Sequence, residues 1–135
     1  MKVTVQASAP PPASQAEGNG SISDGNGGRN AFSFLAQAQQ GSVGGEVDYS
    51  SASAGLDLTG TVQVLQMAAN TADFSGPCTL GAKKTPCRYA IHTEDNGTPG
   101  AGADRFRIQV YSVKGILIHQ ADGTLVDGDV RFGGN

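Results

Sequence analysis

The sequence predicts an all-β protein, an antiparallel β-sandwich or barrel-like sandwich of about 8–10 short strands. Segments that alternate apolar and polar residues recur along the chain, as expected for strands with one buried face. The 20 Gly and 6 Pro among 135 residues supply many tight turns, while 38% hydrophobic residues are enough to form a core. No segment has a persuasive helical period.

The predicted strands follow one another along the chain, separated by turn residues. They are residues 2–8, a brief edge segment around Ile22, and residues 29–39, 42–50, 54–67, 70–78, 87–94, 104–111, 115–120, 123–128 and 129–133. Gly60, in the middle of the longest of these, indicates a bulge or a bend. The predicted core-facing residues are Phe32, Phe34, Ala36, Ala38, Val43, Val47, Tyr49, Leu56, Leu58, Val62, Val64, Ala72, Phe74, Cys78, Cys87, Tyr89, Ile91, Phe106, Ile108 and Val110.

The N-terminal strand is set apart from the other strands. Val3, Val5 and Ala7 share one face, and the PPP run at 10–12 forces an extended connector. We therefore divide the chain into a donor-like strand at 1–9, a Pro-rich connector at 10–17 and a single β-sandwich domain at 18–135. A lone strand needs a hydrogen-bonding partner. That partner is either its own domain or the open sheet edge of a neighbour.

Charge and composition argue against several classes of function. The net charge is -3 and the nine Lys and Arg are scattered, so we expect no nucleic-acid partner. No apolar run is long enough to span a membrane, and residues 1–14 lack the apolar core of an intact secretory signal. Common catalytic motifs are missing. Glu46 and Asp48 share a strand face, but a solvated surface explains them better than a glycosidase pair. We predict that the protein is not an enzyme.

Cys78 and Cys87 are separated by a short loop that contains Gly81 and Pro86. Both cysteines have core-facing parity, and the loop turns back on itself, which favours a disulfide between them. Two free thiols in the core are the alternative. A disulfide would indicate an oxidising compartment, so the expected location is extracellular or at the cell surface.

One loop offers oxygen ligands for a hard cation. Asp95, Asn96 and Asp104 flank a flexible turn that is rich in glycine, and such oxygens are typical ligands of Ca²⁺. The same residues are also ordinary turn formers, and no calcium motif of fixed spacing is present. A structural hairpin and a Ca²⁺ site both remain open, and we expect no other cofactor.

Four stretches in order resemble the post-COAP domain, a bacterial family of secreted or surface-attached β-rich modules. The stretches are GNGSI with GRNAFSFLAQAQQG, GEVDYSSASAGLDLTGTVQVLQMAANTADFSG, DNGTPGAGADRFRIQVY and GDVRFG. The resemblance covers about residues 18–133 and implies an all-β module without catalytic function. The insertion GPCTLGAKKTPC and residues 1–16 lie outside the family pattern.

These observations lead to two functional hypotheses. The first is a non-catalytic structural subunit of an extracellular assembly or filament. Its partner is another copy of the chain, to which it adds the N-terminal strand. The alternative is a monomeric cell-surface binding or spacer module whose loops depend on Ca²⁺ or bind glycans.

Overall fold

The computed structural model describes residues 14–25, 27–39, 41–97 and 102–134. All of the regular secondary structure among these residues is β-strand. The strands are β1 (Ser14–Ser23), β2 (Arg29–Gln39), β3 (Ser42–Ser51), β4 (Leu56–Thr61), β5 (Val64–Met67), β6 (Thr71–Leu80), β7 (Thr85–Glu94), β8 (Arg105–Ser112) and β9 (Leu117–Gly134). Val3, Val5 and Ala7 lie outside the described residues.

The strands form one antiparallel sheet that closes into a barrel. Their order is β4-β3-β2-β1-β9-β8-β7-β6-β5, and the barrel closes where Leu58–Gly60 of β4 pairs with Cys78–Leu80 of β6. Eight strands make the barrel, and β5 is an extra strand beside β6. The all-β antiparallel prediction is confirmed, in its barrel-like form.

Alternation along the strands builds the core, as predicted. Phe106 lies fully buried at the centre of the barrel. Its ring stacks on that of Phe32 with centroids 4.0 Å apart, and the rings of Phe34 and Tyr49 lie next to it. Such packing contributes through the buried apolar area and through the aromatic contacts themselves.

Two residues predicted to face the core are exposed. Val43 is 37% exposed and Val64 is 51% exposed. Val43 lies at the start of β3, one residue from the β2–β3 turn and at the rim of the barrel. Val64 follows a break at Val62 and Gln63 that separates β4 from β5, so the alternation of the predicted strand 54–67 does not carry through.

The predicted edge segment around Ile22 is a full strand inside the sheet. β1 pairs with β2 on one side and with β9 on the other. A Cβ on Gly18 would lie 2.9 Å from the Phe34 ring, and a Cβ on Gly20 would collide with the Asp127 carbonyl oxygen. These glycines therefore allow close packing rather than turns. β1 begins at Ser14, so residues 14–17 belong to the barrel and the predicted connector is wrong there.

The three predicted strands at the C-terminal end are one continuous strand. β9 pairs with β8 through Leu117–Thr124 and with β1 from Leu125 onward. A register shift between Leu125 and Asp127, with Gly128 at φ 89°, bends the strand there instead of ending it.

One side of β9 has no strand beside it over its first half. Among the described residues, the backbone of Leu117–Thr124 pairs with β8 only, because β1 begins its pairing at Leu125. We call Leu117–Thr124 the β9 edge. Within the described ranges, no helix is long and apolar enough to cross a membrane.

Candidate functional site

The predicted disulfide is present. Cys78 on β6 and Cys87 on β7 are directly opposite each other, with their sulfur atoms 2.11 Å apart and their Cα atoms 4.8 Å apart. Both are buried, and Cys78 also pairs with Gly60 of β4. The bridge therefore lies next to the seam at which the barrel closes, and it is compatible with an oxidising environment.

The predicted metal-ligand loop is organised by Asp104. This side chain is fully buried, and its Oδ1 accepts the backbone N–H groups of Asn96 at 2.7 Å and Gly97 at 3.1 Å. Its Oδ2 accepts the backbone N–H of Val130 at 2.9 Å. One carboxylate thus ties the turn after β7 to the second half of β9, which is the structural role that the sequence left open.

Asn96 is occupied by other hydrogen bonds. Its side-chain oxygen accepts the Asn70 amide at 2.7 Å, and its nitrogen donates to Glu94 and to the carbonyl of Ala103. The structure brings Asp129 of β9 to the predicted residues instead. One ligand atom from each of Asp95, Asp104 and Asp129 lies within 4.8 Å of the others. Asp129 is 25 positions from Asp104, so local spacing could not reveal it.

The surroundings of Asp129 disfavour the negative charge of its carboxylate. Burial raises its pKa, and the hydrogen bond and negative charge of Asp104, with the charge of Asp95, raise it further; Arg131 acts in the opposite direction. Its buried Oδ1 has no hydrogen-bond partner in the described structure. Either a proton or a cation would relieve the repulsion between these carboxylates.

We expect Asp129→Asn to stabilise the protein at neutral pH. A raised folded-state pKa means that stability falls as pH rises from the ordinary aspartate value through the folded value. The amide removes this charge and can still donate a hydrogen bond to Asp104, so we expect a gain of about 1 kcal/mol in the free energy of unfolding. The gain should shrink below pH ~3, where both states are protonated. Thermal unfolding at both pH values measures it.

The same variant tests the Ca²⁺ interpretation. If the three aspartates hold Ca²⁺, millimolar Ca²⁺ raises the melting temperature of the wild type and removes the advantage of Asp129→Asn. Equal melting temperatures with and without Ca²⁺ in the wild type would contradict a Ca²⁺ site. Mg²⁺ at the same concentration serves as the ionic-strength control.

A polar cavity of about 420 Å³ opens beside the β9 edge. We call it the slot; its lining residues include Ser23, Asn30, Ser51, Ser53, His119 and Gln120. Asn30 is only 3% exposed, yet its side-chain oxygen has no hydrogen-bond partner among the described residues. Because this oxygen is buried, an occupant of the slot would contact the exposed polar groups at its rim, such as Gln120.

His119, which lines the slot, contacts the buried Tyr49. The Tyr49 hydroxyl lies 2.7 Å from His119 Nε2, which connects β3 to β9 where no backbone pairing does so. Burial raises the pKa of Tyr49 well above its ordinary value, and burial lowers the pKa of His119. The Nε2 atom of a neutral imidazole can accept a hydrogen bond from the Tyr49 hydroxyl.

His92 forms a charged network on the outer wall. Its Nδ1 lies 2.8 Å from Asp73 and its Nε2 lies 3.0 Å from Glu94. Burial lowers the pKa of His92, but the hydrogen bonds to Glu94 and Asp73 outweigh burial and raise it. The network consequently stabilises the fold below the ordinary histidine pKa, and its contribution is lost as pH rises through the folded value.

Glu46 and Asp48 are exposed on the outer face of β3. They line a shallow groove of about 270 Å³ together with Glu17, Asp129 and Arg131. The Thr59 hydroxyl donates to Asp48 at 3.4 Å. The placement agrees with the predicted solvated strand face.

No protein family, curated protein or solved structure matches this chain.

Proposed function

We propose that the protein is a non-catalytic structural subunit of an extracellular assembly or filament. Each copy would add its N-terminal strand, residues 1–9, to the sheet of a neighbouring copy. One observation carries the proposal: the described barrel closes on itself without this strand, yet among the described residues Leu117–Thr124 of β9 has no strand on one of its sides. A closed barrel has no place for a further strand in its wall, whereas an open edge is a template for one.

Exposed apolar side chains next to the open edge support the same function. The β8–β9 hairpin presents Val113, Ile116, Leu117 and Ile118, and each of them is exposed. We call these four residues the apolar tip. A cluster of large apolar residues beside unpaired backbone groups is typical of a contact surface rather than of a solvated hairpin. The disulfide favours a location outside the cell.

Deletion of residues 1–12 tests the proposal. We expect the full chain to form assemblies that grow with concentration, and the truncated chain to stay monomeric with an unchanged melting temperature, because the barrel begins at Ser14. Sedimentation velocity and negative-stain microscopy measure this. Assemblies that persist unchanged after the deletion would refute strand donation.

Two matched double variants test whether assembly depends on the apolar face of the donor strand. Val3→Asp with Val5→Asp places charge on the apolar face of the donor strand, whereas Thr4→Asp with Gln6→Asp places the same charge on its polar face. We expect the first pair to weaken assembly more strongly than the second. Equal effects would indicate that only net charge matters.

The aspartate cluster favours a second candidate, a monomeric cell-surface binding or spacer module whose loops require Ca²⁺ or bind glycans. Asp95, Asp104 and Asp129 supply oxygen ligands at close range. This candidate predicts a single solitary particle and a Ca²⁺-dependent melting temperature. The first proposal predicts assembly that is independent of Ca²⁺.

A further inference from the structure

We infer that the acceptor for the donor strand is the β9 edge of a second copy, with the slot beneath it, so that copies join head to tail. This inference rests on the proposed function, and it names the partner surface that the function requires.

The length of the open edge matches the length of the donor strand. Leu117–Thr124 offers eight residues with one unpaired side, and the alternating donor pattern covers residues 2–8. On its side away from β1, Asp127–Gly134 also has no strand beside it in the described ranges, but there the Asp104 carboxylate already accepts the Val130 N–H. The edge of β5 has four residues from Val64 to Met67 and offers half as much pairing. Main-chain hydrogen bonds provide much of the affinity in strand addition, so the longer edge is the better acceptor.

The chain cannot place its complete donor strand on its own β9 edge. β1 runs from Ser14, opposite Gly134, to Ile22, opposite Leu125, so Ser14 lies about 26 Å from the start of the edge. The six residue steps from Ser14 back to Ser8 span at most ~20 Å, since proline-rich chain extends about 3.1–3.4 Å per residue. Covering 26 Å takes about eight residue steps, so residues 1–6 could reach the edge of the same barrel but residues 7–9 of the donor could not.

The pairing of β1 with β9 also determines at which end of the barrel the donor and the acceptor lie. Donor strands leave the barrel at the end where Ser14 meets Gly134, while the acceptor edge extends beyond the opposite end of β1. A donor at one end and an acceptor at the other make a heterologous contact. Repeated without ring closure, such a contact yields an open filament.

The chemistry of the slot fits an incoming strand. The exposed Gln120 side chain at the rim of the slot can form hydrogen bonds with the backbone, the Thr4 hydroxyl or the Gln6 amide of a donor strand. Ile118 and Leu117 of the apolar tip offer partners for the apolar residues of the donor. A donor strand with one polar face and one apolar face can therefore contact both the polar slot and the apolar tip.

Intermolecular cross-linking tests the acceptor directly. A full-length chain with Val5→Cys is mixed with a chain that lacks residues 1–12 and carries Gln120→Cys in the centre of the edge. Residues opposite each other in paired strands have Cα atoms about 4.5–5.5 Å apart, which suits a disulfide. The native cysteines are bonded to each other and do not compete.

We expect the covalent heterodimer to form at least about tenfold faster with Gln120→Cys than with Val64→Cys on β5, because pairing raises the effective concentration of the two thiols. Val126→Cys, exposed on β9 outside the edge, is the second control. Equal or faster trapping at Val64 would overturn the inference, and so would equal trapping at all three positions.

Charge placed on the apolar tip gives an independent readout in the full chain. Ile116→Asp with Ile118→Asp should abolish assembly without lowering the melting temperature, since both side chains are exposed, while Val126→Asp should leave assembly intact. If truncation of residues 1–12 abolishes assembly but the tip variant does not, the acceptor assignment is wrong and the proposed function stands. If truncation has no effect, both are wrong.

Discussion

Replacing Asp104 by alanine is expected to lower the free energy of unfolding by about 3–4 kcal/mol. The buried carboxylate accepts three backbone N–H groups, those of Asn96, Gly97 and Val130. Alanine leaves these donors without their partner, and hydrogen bonds to a charged acceptor are the stronger kind. Relief of the repulsion from Asp129 offsets part of the loss. Urea unfolding of the wild type and the variant measures the difference.

Asp95→Ala is the matched control for that experiment. It removes a carboxylate from the same cluster, but among the described residues the Asp95 side chain makes no hydrogen bond to the turn. We expect a change of less than about 1 kcal/mol. A loss at Asp95 as large as that at Asp104 would show that cluster charge, and not the backbone hydrogen bonds, stabilises the turn.

Replacing Phe106 by alanine is expected to cost about 3–5 kcal/mol, through lost burial and the cavity that the ring leaves. The Phe106 ring is fully buried and contacts the rings of Phe32, Phe34 and Tyr49, so few neighbours can move to fill the space. Thermal and urea unfolding measure the loss, and the truncated chain should show the same value.

Phe132→Ala provides the comparison for the core variant. Phe132 is only partly buried near the end of β9, so we expect a loss of about 1–2 kcal/mol. A similar cost at both positions would contradict the assignment of Phe106 to the centre of the core.

The alternation of apolar and polar residues predicted many of the strands, because each strand's pattern of buried and exposed side chains depends on its own sequence. Tyr89 and Ile91 on β7, and Phe106 and Ile108 on β8, are buried as expected. The prediction failed where glycines serve packing instead of turns. Gly18 and Gly20 lie inside β1, and Gly128 lies inside β9, because neighbouring chain comes too close for a side chain.

The candidate sites depended on contacts between distant parts of the chain. Cys78 and Cys87 lie in one hairpin, so their pairing could be predicted. Asp129 lies beside Asp104 only because β9 bends past the turn that follows β7. The spacing of the aspartates along the sequence does not reveal this contact. The open edge of β9 arises from a stagger between β1 and β8. Alternation fixes which face of each strand is buried, but a shift by two residues keeps the same face buried, so it does not specify this stagger.

Backbone amide hydrogen exchange at Leu117–Thr124 is the most direct test of strand donation. We expect the edge amides that point away from β8 to exchange at least about tenfold more slowly in the assembled full chain than in the chain lacking residues 1–12, because the donor strand would pair with them. Amides of β2, which is paired on both sides in either chain, should exchange alike. Equal exchange at the edge in both chains, with the full chain assembled, would contradict the account.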